Sequence, residues 1–293
     1  ILKPRTRYFW KVFVTTDHNE KIESLISFFE TSKLKEPWSC KWISTEKVGN
    51  EVPPYVRKTF TISSTKKVKE ARVYCTGLGA YELYINGTKP TNEFFLPSNN
   101  NYHLWIQYQT FDVTNLIQPN NNTIGVILGD GWARCRNCFK GSKGNLKEKF
   151  RGTSVDDVID HYELLFELHL LYDDQTTEII NSDKSWKCHK SDILMSTIYE
   201  GEYQDSNLII KLVESYSFIS DCDENDWFEC NEIEEPLHKN LVSRFSLPII
   251  IKEHIRPIEI IKTPKNETII DMGQNMAGWV EMKINASKGF EVV

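Results

Sequence analysis

The sequence predicts an all-β chain built around a β-sandwich. Apolar and polar side chains largely alternate with a period of two in residues 71–75, 81–85 and 162–171, and this is the period of a half-buried strand. Residues 7–15 form a more continuous apolar run of the same strand-forming residue types. No stretch of ~12 residues or more shows a convincing helical period. Strands with this spacing, divided by turn signals, are typical of sandwiches.

The connections follow from local chemistry. Asn86 and Gly87 predict a tight hairpin turn, because Asn-Gly tolerates the positive φ angles that a type I′ turn requires. Residues 112–117 predict a single helical turn, with Asp112 or Thr114 as its N-terminal cap.

Composition limits the classes of partner. The chain has 293 residues, with 35 basic and 41 acidic side chains and a formal net charge of −6, so it carries no basic footprint for nucleic acid or an anionic membrane surface. The longest apolar runs, such as residues 247–251, fall far short of the ~20 residues of a membrane-spanning helix. The composition is compatible with uncharged ligands such as sugars.

Breaks in the pattern divide the chain into three segments. Residues 1–37 end in a charged linker closed by proline, residues 38–245 form one long run of strands, and residues 246–293 begin a new strand set. Both ends lie inside strand-like sequence. We therefore expect the chain to be part of a longer polypeptide.

The seven cysteines are odd in number and widely spread. This distribution favours mostly free thiols in a reducing compartment, and we expect a cytoplasmic protein. Cys135 and Cys138 have the spacing of a zinc or redox pair, but zinc needs two further ligands and no second pair of suitable spacing is present. A disulfide or two free surface thiols is the favoured interpretation of this pair.

The main candidate site is the turn at residues 129–134. Asp130 stands between two glycines, and Trp132 and Arg134 follow it. An indole can pack on the apolar face of a pyranose while the carboxylate and guanidinium bond its hydroxyl groups. The alternative is a structural turn with a buried tryptophan, which the ordinary uses of turn glycines and of tryptophan favour.

Two further loops carry oxygen-rich side chains. Asn101 ends a run of three asparagines and Tyr102 follows it. Asparagine amides could bond vicinal hydroxyls or ligate calcium, although asparagine is also an ordinary turn residue. Asp156, Asp157 and Asp160 have a spacing that could hold Ca²⁺. A solvated acidic loop is the favoured interpretation of these aspartates.

Three segments, in this order, resemble the non-catalytic front half of the bacterial α-L-rhamnosidases of glycoside hydrolase family 78. The first is the succession of residues 71–87, 107–114 and 129–132, which is similar to the family's N-terminal β-sandwich. The second, residues 199–203, is similar to the segment that closes that domain. The third, residues 262–279, is similar to the opening of the concanavalin-like domain that follows.

The resemblance implies a fold for each segment. Residues 1–37 would be the C-terminal strands of a fibronectin-type sandwich with a linker. Residues 38–245 would form a jelly-roll-like sandwich similar to a carbohydrate-binding module, and residues 246–293 would begin the concanavalin-like β-domain. The family's catalytic (α/α)-barrel lies downstream of these domains, so no residue of this chain is assigned a catalytic role.

The resemblance also implies a function. The parent enzyme would hydrolyse terminal α-L-rhamnose from glycosides, whereas this chain alone would be inactive. Its expected partners are a rhamnose-containing glycan or glycoside and the catalytic domain of its own polypeptide. In the family this sandwich can bind rhamnose, sometimes with calcium, but this sequence lacks the family's usual aromatic and Arg-Gly after Trp132, which weakens the sugar site. The alternative is a structural domain that braces the barrel and binds no sugar.

Overall fold

The computed structural model describes residues 2–49, 51–102, 104–134, 161–198, 201–208, 225–234, 240–285 and 290. These residues form 22 β-strands, numbered below in chain order, and three short 3₁₀ turns; no α-helix occurs among them. The all-β class expected from the alternating pattern is confirmed. None of the helical turns in the described ranges is long and apolar enough to cross a membrane.

The chain divides into two compact units, Ile1–Ile250 and Ile251–Val293. The larger unit contains two multistranded sheets and several two-stranded ribbons, and the smaller unit contains one ribbon. The domain boundaries expected at residues 37 and 245 stay predictions.

The larger sheet has seven strands. From one edge to the other they are β18 (Asn231–Glu232), β5 (Ile43–Ser44), β12 (Glu163–Tyr172), β7 (Val68–Leu78), β10 (Ile106–Asp112) and β19 (Leu241–Ser243), with β13 (Thr177–Asn181) also paired to β12. The pairing is antiparallel except between β10 and β19, which run parallel. Strands β7 and β12 contain two of the alternating segments that the sequence predicts.

The second sheet has five antiparallel strands. Their order is β17 (Phe228–Glu229), β14 (Lys187–Lys190), β6 (Pro54–Ile62), β11 (Asn120–Gly129) and β8 (Ala80–Ile85). One large apolar cluster joins the two sheets into a sandwich. It takes Val73 and Phe166 from the first sheet and Val56 and Val126 from the second, all fully buried. Removal of this apolar surface from water holds the two sheets together.

The remaining strands form short ribbons. In the larger unit these are β1 (Arg7–Trp10) with β4 (Ser27–Glu30), β2 (Phe13–Thr15) with β3 (Lys21–Glu23), β9 (Glu93–Phe94) with β20 (Ile249–Ile250), and β15 (Ile193–Thr197) with β16 (Gly201–Gln204). The smaller unit has β21 (Glu259–Lys262) with β22 (Thr268–Asp271). The 3₁₀ turns are Glu46–Val48, Thr114–Leu116 and Ser206–Leu208.

The local predictions are largely confirmed. Asn86 and Gly87 have φ angles of 49° and 77°, as the tight turn requires, although only a single bridge follows it. The helical turn is present as 3₁₀ geometry over Thr114–Leu116, but its N-cap is Val113, not Asp112 or Thr114. Asp112 Oδ1 instead accepts from the Thr114 amide at 3.1 Å. The apolar run of residues 7–15 is not one strand but two, β1 and β2.

A buried ionic cluster ties the linker after β4 to the larger sheet. Glu167 of β12 is fully buried and accepts hydrogen bonds from the Lys33 ammonium and from the amide and hydroxyl of Ser39. The Cys40 amide also donates to it at 3.2 Å, and His169 lies 2.9 Å from the other carboxylate oxygen. These five residues are called the anchor cluster below.

Candidate functional site

The turn after β11 is shaped by close contact with the connection between β7 and β8. Gly131 has φ 52°, and a Cβ atom there would lie 2.5 Å from the Ala80 nitrogen. Across the contact, Gly79 has φ 115°, and its Cβ would lie 2.1 Å from the Gly129 carbonyl oxygen. Real Cβ atoms do not approach backbone so closely, so these backbones meet only because both positions are glycine.

Asp130 and Arg134 point into the protein. Asp130 is 4% exposed, and its Oδ1 accepts from the Tyr162 hydroxyl at 2.7 Å and from Arg134 Nε at 3.3 Å. The guanidinium carbon of Arg134 lies 3.8 Å from the centre of the Tyr162 ring. The three side chains therefore form a buried polar cluster in which the aspartate and the arginine are paired with each other.

Trp132 instead lies at the surface beside a residue that sequence reasoning missed. It is partly exposed, and its ring meets the ring of Phe95 edge to face, with centroids 6.2 Å apart. Phe95 is 42% exposed and has φ 56°. It is held in place by its neighbour Leu96, whose carbonyl accepts from the Tyr81 amide at 2.8 Å. We call this pair of rings the Phe95–Trp132 ledge.

The second predicted pair has a mainly structural environment. Asn101 is exposed, and its carbonyl accepts from the Leu104 and Trp105 amides at 2.8 Å each. The Tyr102 ring packs against the apolar cluster that Ala133 also joins, which brings this loop close to the turn at residues 129–134. Burial raises the pKa of Tyr102 to about 12, so its hydroxyl stays protonated at neutral pH.

The structure thus brings Asp130, Trp132 and Arg134 into one turn, but with different exposure. Asp130 and Arg134 are buried, whereas the Trp132 ring is partly exposed. Tyr162, which bonds Asp130, is 32 residues away in sequence, and no local signal indicates their contact. Phe95 could have been suspected only as an aromatic residue in a loop.

The donors around Asp130 do not suit calcium. Ca²⁺ is bound by six to eight oxygen ligands, whereas Asp130 Oδ1 faces a hydroxyl donor and a guanidinium. Among the described residues, no group of three histidine, cysteine or acidic side chains is placed to hold a metal ion. The candidates Asp156, Asp157 and Asp160, and the pair Cys135 and Cys138, lie outside the described residues.

The four described cysteines, Cys40, Cys75, Cys188 and Cys230, are free and buried. Burial is the main cause that raises the pKa of the Cys40 and Cys75 thiols. These two thiols are therefore protonated and shielded, which makes them poor nucleophiles.

The two sheets and their shared apolar core define a β-sandwich protein, and comparison with known proteins identifies its family. Residues 66–253 match the α-L-rhamnosidase N-terminal domain, and residues 261–293 match the bacterial α-L-rhamnosidase concanavalin-like domain. The chain belongs to the α-L-rhamnosidase family, of which it contains the N-terminal domain and the start of the concanavalin-like domain.

Individual relatives agree with this assignment. An α-L-rhamnosidase of Formosa agariphila is 28% identical over 98% of this chain and 31% of its own length. The structure of an α-L-rhamnosidase from Dictyoglumus thermophilum matches 90% of this chain and 29% of its own, with 30% identity and a TM-score of 0.71. That of Aspergillus terreus matches 94% and 31%, with 26% identity and a TM-score of 0.79. The chain therefore spans about a third of the length of these relatives.

Proposed function

We propose that this chain is the N-terminal accessory region of an enzyme that hydrolyses terminal α-L-rhamnose from glycosides, and that its Phe95–Trp132 ledge contacts the rhamnose-containing glycan. The family membership supports the first part. The second part rests on one observation, the edge-to-face contact between the exposed Phe95 and the partly exposed Trp132 of the turn after β11.

The chemistry of the ledge suits this sugar. The C–H face of a pyranose packs on exposed aromatic rings, and tryptophan offers a large apolar area with a polar N–H at its edge. L-Rhamnose is a 6-deoxy sugar, so its methyl group adds apolar surface to that face. The buried Asp130 and Arg134 take no direct part in this contact. The hydrogen bonds that Asp130 accepts from Tyr162 and from Arg134 hold the turn that carries Trp132.

A second candidate function is a brace that binds no sugar. It is favoured by the burial and internal pairing of Asp130 and Arg134, which give the turn a sufficient structural reason. In both proposals hydrolysis belongs to the catalytic domain of the longer polypeptide. We expect this chain alone to leave a chromogenic α-L-rhamnoside intact, whereas a polypeptide extended through the barrel cleaves it.

Isothermal titration with L-rhamnose separates the two functions, with glucose as the control sugar. A heat of rhamnose binding that is lost in Trp132→Ala and kept in Trp10→Ala supports sugar binding at the ledge. Trp10→Ala is the control because Trp10 is an exposed tryptophan elsewhere on the larger unit. If rhamnose gives no heat of binding with the unmodified chain, the result supports the structural brace that binds no sugar. Since the donors around Asp130 do not suit Ca²⁺, we expect the same heat after EDTA.

A further inference from the structure

A cleft with a volume of about 350 Å³ lies between the first segment of the chain and the larger sheet. Residues 30–32, at and after the end of β4, form one side of it. The other side is formed by Arg72 of β7, residues of β10, and residues 243–244 at the end of β19. The volume is at the small end of the ~300–1,000 Å³ range of ligand sites.

The three guanidinium groups that line this cleft are each paired with a carboxylate. Arg72 lies 2.8 Å from both Glu30 and Asp112, and Arg7 lies 3.0 Å from the same glutamate. Arg244 lies 2.6 Å from Glu93. Two of the paired carboxylates, Glu30 and Asp112, line the cleft themselves, whereas Glu93 lies outside the lining. An anion entering the cleft would meet Glu30 and Asp112 at close range, so the electrostatics favour a neutral occupant.

The cleft nevertheless keeps unused donors and acceptors. Within the described part of the chain, Arg7 Nη1 and Arg244 Nη2 make no hydrogen bond, and neither do the hydroxyls of Thr110 and Ser243. Among the residues that the structure describes, Asp112 Oδ2 has only the 3.9 Å contact with Arg7. The lining therefore offers cationic donors, one carboxylate acceptor and two hydroxyls, each of which can donate or accept a hydrogen bond.

We propose that this cleft is a binding site for a neutral, hydroxyl-rich saccharide of one or two rings, separate from the Phe95–Trp132 ledge. Vicinal hydroxyl groups donate and accept from adjacent atoms, which is the pattern that the lining presents. The ion pairs among Arg7, Arg72, Glu30 and Asp112 hold the charged groups of the lining in place, which limits the ordering that accompanies binding. The site does not depend on the function proposed for the ledge.

The test uses the Trp132→Ala chain, in which the ledge is removed, and a ligand-observed NMR titration. The neutral probes are rutinose and cellobiose, and the charged probes are glucuronate and inorganic phosphate. Thr110→Trp fills the cleft from an exposed position of β10, and Thr59→Trp is the matched control at an exposed position of β6 in the other sheet. Ser243→Trp, also exposed, fills the cleft from β19 if Thr110→Trp does not fold.

We expect a neutral disaccharide to bind the Trp132→Ala chain, and the cleft-filling substitution to weaken its affinity at least tenfold while Thr59→Trp leaves it unchanged. Unchanged affinity in the cleft-filled chain would overturn the proposal, as would failure of both neutral probes to bind. Tighter binding of phosphate or glucuronate than of either disaccharide would also overturn it, because the cleft would then be an anion site. Loss of rhamnose binding at the ledge alone affects only the previous proposal.

Discussion

Replacing Glu167 with glutamine keeps the shape of the side chain and removes the charge at the centre of the anchor cluster. The carboxylate is fully buried and bonded to the Lys33 ammonium, with His169 2.9 Å away. Burial opposes its ionisation, but the hydrogen bonds from His169, Lys33 and the Ser39 amide outweigh burial and lower the pKa of Glu167 to about 2.

The size of the effect follows from this pKa. A lowering from 4.5 to about 2 corresponds to about 3 kcal/mol of stability in the folded state at neutral pH. Removing one partner of a buried ion pair costs ~3–5 kcal/mol, which agrees. We therefore expect Glu167→Gln to lower the free energy of unfolding by about 3 kcal/mol at pH 7, measured by urea denaturation.

The stabilisation by the Glu167 carboxylate depends on pH. Because the pKa is lower in the folded state, the stabilisation is present above the unfolded value of 4.5 and is lost as the pH falls towards about 2. The difference between wild type and Glu167→Gln should shrink over that interval. The control is Glu229→Gln, which removes a more exposed carboxylate 3.4 Å from Lys187 and should cost less than about 1 kcal/mol. Equal losses in the two variants, or a difference that does not change with pH, would refute the reasoning.

Two further predictions concern the backbone contact at the candidate site and the pairing of His161 with Glu163. Gly79→Ala places a Cβ 2.1 Å from the Gly129 carbonyl oxygen, whereas a Cβ at Gly49, which also has a positive φ, would have nothing within 4 Å. Gly79→Ala should therefore lower the free energy of unfolding by about 1–3 kcal/mol more than Gly49→Ala, measured by urea denaturation. Equal losses in the two variants would contradict the close contact. The hydrogen bond with Glu163 raises the pKa of His161 above 6.5, so its stabilisation is present below that value and is lost as the pH rises through the folded-state pKa. His161→Gln should therefore destabilise the protein more at a pH of about 5.5 than at about 8.5, and a loss independent of pH would show that the pair does not ionise as described.

The parts of the fold that were predictable depend on local patterns. Alternation of apolar and polar residues along β7 and β12 predicts strands, because successive side chains of a pleated strand point to opposite faces of the sheet. Asn86 and Gly87 mark their turn because few other residue pairs accept both positive φ angles. The division of residues 7–15 into β1 and β2 was not visible, since a continuous apolar run contains no signal for where a strand breaks.

The candidate site was only half predictable. The glycines around Asp130 indicate a tight turn, but its burial depends on Gly79 and Tyr162, which approach only in the folded chain. The same holds for the anchor cluster, in which Lys33 and Glu167 are 134 residues apart. Sequence patterns describe periodicity and turns, whereas the pairing of buried charges depends on which strands become neighbours.

The contact between the ledge and the sugar is tested most directly by saturation-transfer difference NMR with methyl α-L-rhamnopyranoside. We expect transfer from the protein to the C6 methyl and to the C–H protons of one ring face, because those groups would lie against the rings of Phe95 and Trp132. The transfer should vanish in Trp132→Ala and persist in Trp10→Ala. No transfer to the unmodified chain, or the same transfer pattern in Trp132→Ala, would contradict a sugar contact at the ledge.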